Sequence, residues 1–169
     1  LTGLTKEIQS ELKHPRDRVE DFSVGSEHPV ASDFPMNPIL HELIGSGADL
    51  QEQIVTVFLR LPSHDSIERV QFLLSRVLSK HGSFYLRRHP FKHRWRFVEA
   101  VPQNLFSFTV LEGQNMDTEE RRRLSTELES IISEPFDLLE GPLVRAVYVS
   151  PGAERSPMLA LSFSHSVVD

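Results

Sequence analysis

The chain has 169 residues, a length that predicts a single domain able to bury a core of its own. Its 39% hydrophobic and 25% charged residues are typical of a soluble globular protein. The net charge of −6 disfavours nucleic-acid binding, and no membrane partner is predicted, because the sequence has neither an apolar run of membrane-spanning length nor a signal-peptide pattern. The absence of cysteine excludes disulfides, thiolate catalysis and cysteine-bound metals, and it agrees with a cytoplasmic location.

Residues 1–33 are predicted to form an approach segment or interdomain linker. The first part, LTGLTKEIQSELK, has the amphipathic pattern of a short helix. The next part, HPRDRVEDFSVGSEHPVASD, is rich in proline, glycine, serine and charged residues and has no sustained periodicity, which is typical of linkers. We expect the folded lobe to span residues 34–169, with a short helix after Pro38.

A strand followed by a helix is predicted over residues 53–82. In QIVTVFLRL, residues 53–61, apolar residues alternate with a period of two, as in a half-buried strand. In DSIERVQFLLSRVLSKHG, a D-x-x-E capping pattern at Asp65 and Glu68 begins a helix that ends at Gly82. An apolar stripe with helical spacing runs along this helix through Ile67, Val70, Leu73, Leu74, Val77 and Leu78.

Two strands, a second helix and a last pair of strands are predicted to follow. SFYLRR and RWRFVEAV form a hairpin around the turn HPFKH. DTEERRRLSTELESIISE is a helix with Asp117 as its N-cap and with Leu124, Leu128, Ile131 and Ile132 facing the core. LVRAVYV and MLALSF are strands separated by the turn-forming stretch SPGAERSP. This order indicates an α+β fold in which a mixed sheet is covered by helices.

Residues 159–169, LALSFSHSVVD, join a predicted strand to candidate chemistry. His165 is predicted to share one strand face with Leu159, Leu161 and Phe163. A partly desolvated imidazole at a strand end suits general-base catalysis, because its ordinary pKa lies near the working pH; an ordinary strand-end histidine is the alternative. Asp169 is placed to orient His165 or to hold the loop that follows the strand. Because chains rarely stop directly after a buried strand, we expect this lobe to be one part of a larger fold.

Two other chemical interpretations are disfavoured by local geometry. Ser164, His165 and Asp169 have the residue types of a nucleophilic triad. Adjacent strand residues point to opposite faces, however, so Ser164 is not expected to reach the imidazole. His89 and His93 have the spacing of helical zinc ligands, but a proline lies between them and no third ligand is evident. No metal site is therefore predicted.

From about Phe34 to Asp169 the chain resembles the N-terminal half of a condensation domain of nonribosomal peptide synthetases, within the chloramphenicol-acetyltransferase-like superfamily. SHSVVD matches the second histidine and the aspartate of the family motif H-H-x-x-x-D-G. EPFDLLEGPLVRAVYV is similar to the family's PFDL…GPL-R-A lead-in to that motif. DSIERVQFLLSRVLSKHGSFYLRR resembles the family's first long helix and its R-H-E-x-L-R-T segment. The order and spacing of the three segments support one another.

The resemblance implies a two-lobed domain, of which residues 34–169 are the N-terminal lobe and the C-terminal lobe is absent from this sequence. A tunnel between the lobes admits the phosphopantetheine arms of carrier proteins, and an amine or alcohol attacks the donor thioester to form an amide or ester. No cofactor is expected to bind the chain directly, because the arm belongs to the carrier. The expected partners are acyl or peptidyl carrier proteins, the missing lobe and adjacent synthetase modules.

The resemblance also assigns roles to residues. His165 is the catalytic residue, which deprotonates or positions the attacking amine or stabilises the tetrahedral intermediate. Asp169 has a structural role, because an arginine holds the motif aspartate in this family. Phe136, Asp137 and Leu138 of the lead-in are expected to pack and to form a turn.

Two positions depart from the family pattern. Ser164 stands where the first motif histidine usually is, and an S-H-x-x-x-D motif resembles the ring-closing terminal condensation domains of fungal synthetases. A cyclising or release variant is therefore an option. The arginine that would hold the motif aspartate is replaced by Tyr85, so Arg87 or Tyr85 is expected to contact Asp169. The alternative function is a catalytically degenerate module that recruits carrier proteins as a scaffold.

The stretch RRHPFKHRWR forms a basic patch. A solvated hairpin is the interpretation that we favour. The functional alternative, given the resemblance, is a docking surface for an acidic carrier protein at Arg88, Lys92 and Arg94.

Overall fold

The structure is a computed structural model, and it describes residues 2–13, 34–35, 54–62, 66–91, 94–113, 117–150 and 156–168. The helices of these residues are α1 Thr2–Lys13, α2 Ile67–Leu78 and α3 Thr118–Ser133. The strands are β1 Phe34–Pro35, β2 Ile54–Arg60, β3 Leu86–Arg88, β4 Arg94–Phe97, β5 Ser107–Glu112, β6 Val144–Ser150 and β7 Met158–Ser164. Short 3₁₀ turns cover Gly82–Tyr85, Pro102–Leu105 and His165–Val167.

The strands form two sheets. The larger sheet has the order β2-β7-β6-β5, in which β7 runs antiparallel to both of its neighbours and β5 runs parallel to β6. The smaller sheet is antiparallel and has the order β1-β4-β3. The predicted mixed sheet and the predicted hairpin are both confirmed. Strand β7, which leads to the SHSVVD motif, lies inside the larger sheet.

Helix α2 packs into the main core on one face of the larger sheet. The core residues of this helix that are at most 1% exposed are Val70, Leu74, Val77 and Leu78. The strand residues that join them in the same core include Leu159, Leu161 and Phe163. The helix is capped by Ser66, whose hydroxyl accepts a 3.2 Å hydrogen bond from the N–H of Arg69. The N-cap is therefore Ser66 and not the predicted Asp65.

Helix α3 covers the opposite face of the larger sheet. A second cluster of buried residues there contains Leu111, Leu124, Val147, Val149 and Ala160. The cluster is packed, as predicted, by the helix residues Leu128, Ile131 and Ile132. Asp117 is confirmed as the N-cap, because its carboxylate accepts a 2.8 Å hydrogen bond from the N–H of Glu120.

Helix α1 confirms the amphipathic helix predicted near the start of the chain, and it packs against α2. Ile8 is 3% exposed and belongs to the main core. Glu7 accepts a 3.0 Å hydrogen bond from Nζ of Lys80, and its other carboxylate oxygen lies 3.2 Å from Nε2 of His81. The helix predicted after Pro38 lies outside the described residues, and the boundary between residues 33 and 34 stays a prediction.

Two elements differ from the sequence-based prediction. Strand β5 has no predicted counterpart, and it adds an edge to the larger sheet by pairing with β6. The predicted strand SFYLRR is shorter in the structure, because Gly82–Tyr85 form a 3₁₀ turn and Leu86–Arg88 pair with β4. None of the helices in the described ranges is long and apolar enough to cross a membrane.

Candidate functional site

His165 lies directly after the end of β7. The strand ends at Ser164, and His165 begins a 3₁₀ turn that ends at Val167. Val167 returns to the main core and is 7% exposed, whereas the side chain of His165 is exposed. The expectation that His165 extends the apolar strand face is therefore wrong, because the chain leaves the strand geometry at this residue. The imidazole is accessible to a reacting group that approaches the end of the sheet.

Ser164 is held by two contacts that do not involve the imidazole. Its side chain is 6% exposed, and its hydroxyl lies 2.7 Å from the hydroxyl of Ser166. Its backbone N–H donates a 3.0 Å hydrogen bond to the carbonyl of Leu143. The hydroxyl is therefore engaged away from His165, which argues against a serine nucleophile activated by this histidine. Asp169, the third residue of that hypothetical triad, lies outside the described residues.

The lead-in segment, residues 136–143, forms a tight turn that ends beside this site. The Asp137 carboxylate accepts hydrogen bonds from the N–H groups of Leu139 at 2.8 Å and Glu140 at 3.2 Å. The carbonyl of Asp137 accepts a 2.8 Å hydrogen bond from the N–H of Gly141, which has a φ of 71°. Phe136 and Leu138 pack against the main core. The segment thus packs and turns as predicted, and Leu143 joins it to the start of β6.

Arg87 is buried against this turn, with 3% of its surface exposed. Its Nε donates a 3.0 Å hydrogen bond to the carbonyl of Glu140. Its Nη1 donates to the carbonyls of Phe84 at 3.0 Å and Leu86 at 2.7 Å. Burial lowers the pKa of Arg87, while the charges of Glu140 and Asp137 act in the opposite direction. Its described hydrogen bonds therefore go to main-chain carbonyls.

Tyr85 lies in the 3₁₀ turn before β3, whereas Arg87 lies on β3 itself. It is 7% exposed, and burial raises the pKa of its hydroxyl group. Its predicted contact with Asp169, like that of Arg87, stays a prediction, because Asp169 is not among the described residues.

Arg145 is a buried residue of this region that the sequence-based prediction missed. It is 9% exposed on β6, and its Nη1 donates hydrogen bonds to the carbonyls of Ile131 at 2.8 Å and Glu134 at 2.9 Å. Its Nη2 lies 3.7 Å from the Glu134 carboxylate, and burial lowers the pKa of its guanidinium. In the sequence, the importance of Arg145 is indicated only by its position as the arginine of the GPL-R-A lead-in.

The basic patch RRHPFKHRWR, residues 87–96, includes the turn between β3 and β4, and we call it the basic hairpin. It contains an exposed aromatic side chain. Phe91 is 91% exposed, and its N–H donates a 3.1 Å hydrogen bond to Nδ1 of His89. Arg94 is exposed, and Arg88 is half-buried with its N–H bonded to the carbonyl of Leu138 at 2.7 Å. The side chain of Trp95 instead lies in the main core. Lys92, the third predicted docking residue, lies outside the described residues.

The described residues were also compared with the predicted absence of a metal site. Within those ranges, no group of three or more histidine, cysteine, aspartate or glutamate side chains is arranged to hold a metal ion. His93, one of the two histidines with zinc-ligand spacing, lies outside them.

The fold is shared with domains of peptide and polyketide synthetases. The epimerization domain from the third module of tyrocidine synthetase B matches 80% of this chain and 31% of its own chain, with a TM-score of 0.65 and 17% identity. The starter condensation domain of rhizomide synthetase matches 80% of this chain and 34% of its own, with a TM-score of 0.61 and 12% identity. A structure of condensation domain-mediated chain release from the enacyloxin polyketide synthase matches 81% and 27%, with a TM-score of 0.56 and 20% identity.

The amino-acid sequence has a relative in the same class of enzymes. It is 32% identical over 95 residues to one of the subunits of the linear gramicidin synthase of Brevibacillus parabrevis, in an alignment that covers 55% of this chain and 1% of that protein. No family model matches the chain. The chain spans between 27% and 34% of the solved structures named above. It has the chloramphenicol-acetyltransferase-like fold of condensation domains, and its resemblance to the condensation domains of nonribosomal peptide synthetases is confirmed.

Proposed function

We propose that the chain is part of a condensation domain that forms an amide or ester bond in nonribosomal peptide or hybrid polyketide–peptide synthesis. The donor is an acyl or peptidyl thioester on a carrier protein, and the acceptor is an amine or an alcohol. One observation carries this proposal: an exposed histidine follows an interior strand of a condensation-like fold, within the sequence SHSVVD. The accessible imidazole favours a catalyst over a degenerate scaffold that only recruits carriers.

In the proposed reaction, His165 transfers a proton from the acceptor to the leaving group. The acceptor nitrogen or oxygen attacks the carbonyl carbon of the thioester, the carbon–sulfur bond breaks, and the sulfur leaves as the thiol of the pantetheine arm. The imidazole takes the proton that the acceptor loses and delivers it to the departing sulfur. This role suits a histidine, since its ordinary pKa of about 6.5 lies close to neutral pH.

We propose release or cyclisation as the variant of this chemistry that Ser164 favours. The 2.7 Å contact between the hydroxyls of Ser164 and Ser166 supports a packing role for the first motif position. His165 then acts without a neighbouring histidine. The enacyloxin structure, which shares this fold, concerns condensation domain-mediated chain release in that protein.

The proposed partners are carrier proteins, a C-terminal lobe and adjacent synthetase modules. The phosphopantetheine arm of a carrier brings the thioester to the site, so the chain itself needs no bound cofactor in this proposal. Asp169 keeps its structural role, with Arg87 or Tyr85 as its proposed contact. The basic hairpin, with Arg88, Lys92 and Arg94, is the proposed docking surface, and we place the protein in the cytoplasm.

The test is a condensation assay on the complete protein. The upstream carrier is loaded with a panel of acyl and aminoacyl groups, amine and alcohol acceptors are added, and products are detected by mass spectrometry. We expect product with the wild-type protein and a loss of about 10²–10⁴-fold for His165→Ala, the range for a positioned acid–base group. Carrier binding without product for every loaded group would instead support the recruitment scaffold.

A further inference from the structure

The basic hairpin concentrates positive charge in an acidic chain. The whole chain has a net charge of −6, whereas the hairpin has no aspartate or glutamate and contains the cations Arg87, Arg88, Lys92, Arg94 and Arg96. Arg87 is buried, but Arg94 is exposed and Arg88 and Arg96 are half-buried. Among the described residues, no ion pair involves any of these last three arginines. The hairpin therefore leaves a positive surface that an anionic partner can neutralise.

The turn of the basic hairpin places a phenyl ring in solvent. Phe91 is 91% exposed, whereas the other exposed large apolar side chains of the described residues, such as Phe72 on α2, are at most 56% exposed. Single exposed apolar side chains are ordinary on protein surfaces. An aromatic ring beside arginines is different, because these are the residue types that protein–protein interfaces favour. The ring gains the free energy of its burial only when a partner covers it.

Hydrogen bonds hold the backbone of Phe91 in place. The N–H of Phe91 donates to Nδ1 of His89 at 3.1 Å, and the centres of the two rings lie 6.4 Å apart at an angle of 65°. The N–H of His89 in turn donates a 2.8 Å hydrogen bond to the carbonyl of Arg94, on the other side of the turn. Because these contacts exist before a partner binds, insertion of the ring into a recess costs less conformational entropy.

The base of the basic hairpin is fixed to the rest of the lobe. The N–H of Arg88 donates a 2.7 Å hydrogen bond to the carbonyl of Leu138 in the lead-in segment. Trp95, which lies opposite Arg88 in the sheet, is 5% exposed and belongs to the main core. On its other side, Trp95 lies opposite Phe34 of β1. The hairpin can therefore present Phe91 from a support that does not refold on binding.

We propose that the basic hairpin binds an acidic protein surface and that Phe91 is the apolar anchor of this contact. The ring enters an apolar recess of the partner, and carboxylates around that recess face Arg88 and Arg94. The charges raise the rate of association, whereas the covered ring lowers the rate of dissociation. The occupant is the carrier protein of the proposed function, and the identity of the partner rests on that function.

Nucleic acids and membranes fit this surface less well than a folded acidic protein does. Nucleic acids and anionic lipids both repel a chain with a net charge of −6 at long range. Elements that lie in a membrane surface also insert several large apolar side chains from one face. In the described part of the basic hairpin, Phe91 is the only exposed aromatic residue, because Trp95 is buried. A single ring among cations suits one recess in a protein.

The test measures how the upstream carrier protein, prepared without its phosphopantetheine arm, binds to the complete protein. Without the arm, the rates report the surface contact alone. Stopped-flow fluorescence with a dye-labelled carrier gives the association and dissociation rates. Phe91→Ala is expected to raise the dissociation rate by about 10–100-fold, as for the lost burial of a phenyl ring, and to change the association rate much less. Phe91→Leu should keep most of the affinity.

Phe72→Ala is the matched control, because it removes an exposed phenyl ring from α2 instead of from the hairpin. Both of its rates should equal those of the wild-type protein. An unchanged dissociation rate in Phe91→Ala would overturn the inference, and so would an equal increase in Phe72→Ala. The melting temperature of Phe91→Ala should stay at the wild-type value, since the ring is exposed.

A vesicle assay separates a protein partner from a membrane. The complete protein is mixed with vesicles of phosphatidylcholine and phosphatidylglycerol, and sedimentation measures binding. We expect no binding. Vesicle binding that Phe91→Ala abolishes, with unchanged carrier binding, would overturn the inference in favour of a membrane anchor.

The condensation assay distinguishes failure of this inference from failure of the proposed function. Product from the wild-type protein, with the same carrier KM and dissociation rate in Phe91→Ala, would overturn the inference and keep the function. Faster carrier dissociation in Phe91→Ala, with no product from the wild-type protein for any loaded group, would support the inference and overturn the function.

Discussion

The guanidinium carbon of Arg145 lies 4.6 Å from the centre of the Phe136 ring, so a buried cation stacks on the first aromatic residue of the lead-in. The same guanidinium binds the carbonyls of Ile131 and Glu134 at the end of α3. Carbonyls in the last turn of a helix have no partner within the helix. Arg145 therefore joins three parts of the lobe: the end of α3, the lead-in segment and strand β6.

Arg145→Met is expected to lower the free energy of unfolding by about 1.5–3 kcal/mol, since it removes the hydrogen bonds that a charged donor makes to the Ile131 and Glu134 carbonyls. Urea unfolding of the complete protein measures this change. Arg123→Met is the control: Arg123 is an exposed residue of α3 whose Nη1 lies 3.0 Å from the Glu127 carboxylate. Its loss should change the free energy by less than about 1 kcal/mol. Equal losses in the two variants would contradict the role of Arg145.

The periodicity of apolar residues predicted most of the helices and strands, and strand β5 is the exception. Helices α2 and α3 and strands β2, β6 and β7 carry regular apolar patterns, so their existence follows from the sequence. Strand β5 is an edge strand in which buried Leu111 follows Val110, which is 36% exposed. Its partner is β6, reached through α3, so β5, α3 and β6 form a parallel crossover unit. Such a long-range pairing leaves little local signal.

The candidate site was predictable in position but not in geometry. The motif residues Ser164 and His165 lie at the predicted strand end. The exposure of His165 depends on the bond from Ser164 to Leu143 and on the turn that follows, which are tertiary features. The burial of Arg87 and Arg145 was not predictable either, because charged residues are usually exposed and the partners here are main-chain carbonyls.

The contact between α1 and α2 is expected to weaken in acid. The hydrogen bond from Lys80 is the main cause that lowers the pKa of Glu7 below its ordinary value of 4.5, and His81 adds to the effect. A lowered pKa in the folded state stabilises that state at pH values above 4.5, and this stabilisation is lost as the pH falls through the lower value. Hydrogen exchange of α1, measured from pH 6 to pH 3, should therefore show faster opening in acid.

Glu7→Gln tests the source of this pH dependence. The variant cannot change its charge, so its α1 opening should lack the acid-dependent component seen in the wild-type protein. The effect is expected to be small, because the Glu7 and Lys80 side chains are 32% and 47% exposed. The same acid dependence in Glu7→Gln would assign the effect to another group.

The basic hairpin makes a testable docking prediction. Replacing both Arg88 and Arg94 with glutamate should slow association with an acidic carrier protein by about tenfold at low salt, because complementary charge mainly raises the association rate. The fold should be kept, since Arg88 is bonded to Leu138 through its backbone N–H and Arg94 is exposed. The matched control reverses Arg60 and Arg122, two exposed arginines outside the hairpin. Surface plasmon resonance at two salt concentrations measures the association rates of the two double variants. Equal association rates would indicate that the hairpin is an ordinary solvated surface.

Alanine substitutions at the three motif positions, Ser164, His165 and Asp169, are expected to have different effects on the complete protein. His165→Ala should lower the rate of the chemical step by about 10²–10⁴-fold and leave the melting temperature almost unchanged, because its side chain is exposed. Asp169→Ala should lower the melting temperature together with activity, if the motif aspartate has its structural role. Ser164→Ala should lose only the 2.7 Å contact with Ser166 and cost little activity.

Steady-state rates and melting curves on the three single variants decide between these roles. The order of activity loss separates a catalytic His165 from a catalytic serine, and the melting curves separate chemistry from folding. Ser164→Gly and Ser166→Ala extend the comparison, because both remove the hydroxyl pair without touching the imidazole. If Ser164→Ala is as damaging as His165→Ala while both variants melt like the wild-type protein, the assignment of the proton transfer to His165 alone fails. A mechanism in which the Ser164 hydroxyl takes part would then replace it.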